Sequence, residues 1–126
     1  MQCGPISGHV EGQTVGDESK DLVMFAGNPS SSINGRVIVT ARRPSDGATK
    51  AWNFTAAMRI DGASVAANLA NVGATAFGLP ADLTALAGVG ITFFASGADI
   101  GLTVDGIAGS NLNWCADFNG HQLLDN

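Results

Sequence analysis

The sequence predicts an all-β chain, an antiparallel β-sandwich or jelly roll with an extended N-terminal arm, and three observations lead there. Two segments, residues 37–61 and 111–119, alternate apolar and polar side chains with the period of two that a half-buried strand requires. Val, Ile, Thr and Phe fall in short runs punctuated by Gly, Asn, Asp and Pro, the spacing of a fold with many turns. No long stretch repeats apolar residues at helical spacing. A length of 126 residues suits one domain that can bury a core without metals or disulfides.

Residues 1–20 are rich in Gly, Ser and acidic side chains and lack periodicity, so they read as an extended arm, with the sandwich over residues 21–126. Residues 21–26 make a short strand, closed by Asn28-Pro29-Ser30. Residues 37–61 form a long hairpin. Pro44 presets a turn, Asp46 can bond its own backbone and Gly47 tolerates the left-handed conformation. A loop of residues 44–47 pairs Arg43 with Ala48, Val39 with Trp52 and Val37 with Phe54, so the apolar sets share a face. One extra loop residue would set Val39 against Asn53 and scramble both faces.

After an Asp-Gly turn at residues 61–63, residues 64–72 alternate with small side chains. Residues 73–90 are irregular, with one helical turn or an ordered loop around Pro80. Residues 91–96 form a strand that sends Phe93 and Phe94 to opposite faces, so Phe94 needs cover outside the main core and becomes an interface candidate. Residues 100–105 alternate, and Leu112, Trp114, Ala116 and Phe118 face one way along the last strand. Val39, Trp52, Phe54, Trp114 and Phe118 are the expected core anchors.

The charge pattern narrows function. A net charge of −5 disfavours nucleic acid and anionic membranes as partners, since both select a basic surface. Charged residues are only 13% of the chain, so part of the surface is expected to be covered by other subunits. Five of the six basic residues, Arg36, Arg42, Arg43, Lys50 and Arg59, belong to the hairpin, which makes them candidates for a docking surface. The start has no basic and apolar signal segment, and the apolar run at residues 83–98 is too short and glycine-rich for a membrane helix.

Chemistry is sparse. His9 and His121 sit in the two terminal segments, where a histidine-based triad would need the chain ends to meet. Cys3 and Cys115 belong to no motif and read as free thiols of a protein made in a reducing cytoplasm. Asp61, Asp82, Asp99, Asp105 and Asp117 read as turn residues rather than a catalytic carboxylate pair. Residues 99–105 lack the dense carboxylates of a calcium loop, and no phosphate-binding or dinucleotide glycine motif occurs. No enzymatic activity, cofactor or metal is expected.

Ala41 with Arg42, Asp46 with Gly47, Lys50 to Trp52, and Asn111 with Trp114 and Ala116 together resemble a β-domain that recurs in bacteriophage virion proteins, over residues 35–118. The sequence departs from that pattern in the longer segment 73–90 and in Cys115, where an aliphatic side chain is usual. The resemblance implies a virion structural protein, made in the host cytoplasm and assembled on the particle. The first expectation is a homotrimeric capsid decoration, or cement, protein contacting the major capsid protein. The alternative is a tail-fibre or appendage domain that binds host-surface glycans through loops such as residues 73–90.

Overall fold

The computed structural model describes residues 2–62 and 66–125. Among them are nine strands and one short helix: β1 (Gln2–Val15), β2 (Ser19–Ala26), β3 (Ser31–Arg42), β4 (Thr49–Ile60), β5 (Ala66–Val72), β6 (Ala76–Phe77), α1 (Pro80–Ala85), β7 (Gly90–Ser96), β8 (Asp99–Asp105) and β9 (Asn111–Leu124). Two antiparallel sheets face each other, as the alternation predicts. The larger has the order β1-β9-β3-β4-β5, with β6 also on β4; the smaller has the order β2-β8-β7.

The hairpin has the expected register. Val39 lies opposite Trp52 and Val37 opposite Phe54. The Arg43 amide donates to the Ala48 carbonyl at 2.9 Å, the Gly47 amide donates to Arg43 at 2.7 Å, and Gly47 sits at φ 77°. The Asp46 carboxylate accepts the Ala48 amide at 3.0 Å, completing the turn bond its side chain allows. The hairpin is longer than its alternation indicates because Gly35, opposite Gly120 of β9, interrupts the apolar pattern without interrupting the ladder.

Val39, Trp52, Phe54, Trp114 and Phe118 are all buried in one cluster with Leu22, Met24, Ile100, Leu102 and Val104 of the smaller sheet. The Trp52 and Trp114 rings stack at 5.9 Å with an interplanar angle of 16°. Their strands flank β3, and the small Ala41 opposite Trp114 leaves room for the rings to meet. Phe54 meets Phe93 edge-on at 6.1 Å, tying the sheets together. Burying each large side chain stabilises the fold by roughly 1.5–3 kcal/mol.

One expectation is corrected. Residues 1–20 are not a separate arm: Gln2–Val15 is β1, paired along its length with β9 from Gln2 opposite Leu124 to Val15 opposite Asn111, and Ser19 and Lys20 already belong to β2. The alternation was hidden because the inward positions include Gly8 and Gly12. A Cβ on Gly8 would lie 2.6 Å from the Met24 carbonyl oxygen, and one on Gly12 would lie 2.7 Å from Leu22 Cδ2, so glycine lets β2 pack against β1. The Trp114 indole N–H donates to Thr14 Oγ1 at 3.0 Å in the buried interior, anchoring β1 to the core.

Elsewhere the apolar run 83–98 divides into the end of α1, a turn and β7, and no helix among the described residues is long and apolar enough to cross a membrane. Pro80 opens α1, as its fixed φ favours at a first helical position. Asp82 of that helix accepts the Thr49 amide at 3.1 Å, which pins the helix to the start of β4. The turn expected at residues 61–63 and the alternation expected over residues 64–72 fall partly outside the described residues, in Ala63, Ser64 and Val65.

Candidate interaction surface

The outward face of the larger sheet is built by the same alternation that builds the core. Glu11 and Gln13 of β1, Asn113, Cys115 and Asp117 of β9, Arg36, Ile38, Thr40 and Arg42 of β3, and Asn53 and Thr55 of β4 all point away from the smaller sheet. Amides tie adjacent strands together. The Gln13 side chain donates to Asn113 at 3.1 Å, and Arg36 donates to Asn53 at 3.0 Å. A shallow depression of about 650 Å³ opens here, with Glu11 and Gln13 on one side, Thr40 and Arg42 on the other and Asn113 and Cys115 between them. Ile38, 43% exposed, adds an apolar element to this otherwise polar face.

The five hairpin cations separate into two groups. Arg36, Arg42 and Arg59 are exposed on the outward face. Arg42 donates to the Gly47 carbonyl at 3.3 Å, and Arg59 pairs with Asp61 at 3.0 Å. Arg43 and Lys50 are instead engaged within the chain. The Arg43 guanidinium grips both oxygens of Asp46, at 3.1 and 2.7 Å, and reaches Ser110 at 3.0 Å. That guanidinium, with the Ala48 amide, lowers the Asp46 carboxyl to about 2. Lys50 donates to the carbonyls of Leu86 and Val89 at 3.2 and 2.6 Å and lies 5.6 Å from the Trp52 ring, and burial lowers its pKa. These two cations close the turn and the sandwich end. Phe94 of β7 is half-buried opposite Gly101 of β8, while its neighbour Phe93 enters the core.

A second apolar patch went unnoticed in the sequence because it lies in the irregular segment 73–90. Phe77 and Leu79 are 54% and 70% exposed and border a depression that also includes Thr49, Ala51 and Asp82.

The expected turn aspartates are not all in turns. Asp99, Asp105 and Asp117 are strand residues and Asp82 is helical. Each has a local task instead: Asp105 accepts from Ser19, Asp82 accepts the Thr49 amide, and Asp117 accepts from His9. Cys3 and Cys115 are free thiols, in different halves of the β1–β9 ladder.

No family model matches the sequence, and no curated protein matches it. Among solved structures, the tailspike protein of Acinetobacter phage vB_ApiP_P1 is similar at a TM-score of 0.44 and 10% identity over 98% of this chain. The chain spans 22% of that protein's length.

Proposed function

We propose that this chain is a structural protein of a bacteriophage particle, a capsid decoration protein that assembles as a homotrimer on the major capsid protein. The sequence resemblance over residues 35–118 supplies the class. The observation that carries the role is the outward face of the larger sheet, where sparse charge, paired amides, Ile38 and three exposed arginines form a broad surface suited to docking another protein. Charges at its margin would select orientation more than affinity. The free edge of β1 adds a second route to association, because its outer backbone groups pair with no strand among the described residues. Neither feature calls for catalysis, and the reading includes none. Light scattering of the purified chain should give a trimer, and particles lacking it should rupture at lower temperature or milder osmotic shock than complete ones. A monomer together with equally robust particles would remove the cement role.

The depression on the same face favours one second reading, an appendage domain that grips host glycans. Glu11, Gln13, Arg42 and Asn113 offer carboxylate, amide and guanidinium groups to sugar hydroxyls. Retention on host envelope polysaccharide, lost in an Asn113→Ala variant, would place this reading first.

A further inference from the structure

The pairing of β1 with β9 brings the chain ends together and creates a cluster of metal-ligating side chains. His9 lies directly opposite Asp117, and Glu11 directly opposite Cys115. The two cross-strand pairs are neighbours on the outward face, so four side chains able to bind a metal project from one small patch. The His9 Nδ1 to Asp117 Oδ1 distance is 2.6 Å, and His9 Nε2 lies 3.4 Å from Glu11 Oε1. One ligand atom each from His9, Cys115 and Asp117 can be chosen so that all lie within 4.8 Å of one another.

We propose that His9, Cys115 and Asp117 bind a zinc-class divalent ion, with Glu11 or water in the fourth position, clipping the edge strand β1 to β9. Bonds of about 2.0–2.3 Å at tetrahedral angles place ligand atoms roughly 3.3–3.8 Å apart. The cluster is within about one ångström of that spacing, and small rotations of its surface side chains close the difference. Nitrogen, sulfur and oxygen donors together suit zinc, whereas calcium and magnesium select oxygen alone. The two carboxylates and partial burial hold the Cys115 thiol in its protonated form, and a divalent ion reverses the influence of both carboxylates. A simple His9–Asp117 ion pair would explain that contact but would give Cys115 no role. The inference is independent of the decoration-protein reading, since it concerns how β1 is held.

The test uses the full chain carrying Cys3→Ser, which leaves Cys115 as the sole thiol. Cys3 is roughly 20 Å along β1 from His9, at about 3.3 Å per residue, and is not part of the cluster. Titration with cobalt(II) chloride should reach one equivalent and produce a thiolate-to-cobalt absorption band, which zinc(II) chloride then abolishes. His9→Ala and the isosteric Asp117→Asn should each weaken cobalt binding at least about tenfold. Zinc should raise Tm in the Cys3→Ser chain and leave it unchanged in the Cys3→Ser, Cys115→Ser double variant. Absence of the thiolate band at millimolar cobalt would overturn the proposal. So would a band of full strength in both His9→Ala and Asp117→Asn, each checked for folding by circular dichroism.

Discussion

The β3–β4 hairpin and the edge strand β1 lie in one sheet, with β9 between β1 and β3, yet different interactions hold them. The hairpin contributes Ile33, Val37, Val39, Ala41, Trp52, Phe54, Ala56, Met58 and Ile60 to the core. Its partners are joined by a four-residue loop, so its register costs little chain entropy to establish. On its inward side β1 offers Ile6, Gly8, Val10, Gly12 and Thr14, of which only Thr14 is fully buried. It is held by its backbone ladder to β9, by the close approach of β2 and by one buried side-chain hydrogen bond. A strand can therefore be integral to a sandwich while contributing little apolar surface.

The hairpin should be the more costly to damage. Trp52→Ala removes a stacked indole from the densest part of the core and should cost about 3–5 kcal/mol, enough to unfold a marginal domain. A cooperative denaturant transition near that of the parent would mean the core does not depend on this pair of rings. Thr14→Val addresses β1 directly. It keeps the shape but leaves the buried Trp114 N–H without its acceptor, at a cost of about 1–3 kcal/mol. An unchanged midpoint would show that β1 detaches readily, behaving as the loose arm its composition suggests.

The exposed cations should separate folding from assembly. Arg42→Glu combined with Arg59→Glu should change stability by no more than about 0.5 kcal/mol per substitution, because both side chains face outward. The same pair should weaken the oligomer measured by light scattering. Unchanged assembly would confine the hairpin to the core. The smallest effect concerns the turn. Folding lowers the Asp46 carboxyl from 3.8 to about 2, so its ion pair with Arg43 stabilises the fold above pH 3.8 and ceases to do so as pH falls through 2. Asp46→Asn should therefore lower Tm slightly at pH 6, and the difference should vanish near pH 2. A constant difference across that range would assign the effect to turn geometry rather than charge.

What could be read in advance follows the same division. The hairpin register was legible because its face pattern and turn residues agree within a short stretch, so a single slip would expose Trp52 or Phe54. The helical turn at Pro80 was legible from proline placement alone. β1 was not, because Gly8 and Gly12 erase the apolar alternation and its partner lies at the other end of the chain. The cluster of His9, Cys115 and Asp117 was hidden for the same reason: His9 and Asp117 are 108 residues apart, and no local spacing announces them. Lys50 and Arg43 counted as surface charges in the sequence. Their capping of the sandwich end and the turn depends on where Leu86, Val89 and Ser110 come to rest.

Locating the chain in electron images of purified particles of the phage that encodes it tests its proposed role most directly. A capsid decoration protein should appear in many copies at symmetry-related positions on the head, grouped in threes, with the outward face of the larger sheet against a neighbouring subunit. A few copies confined to the tail, or none on the particle, would contradict that role.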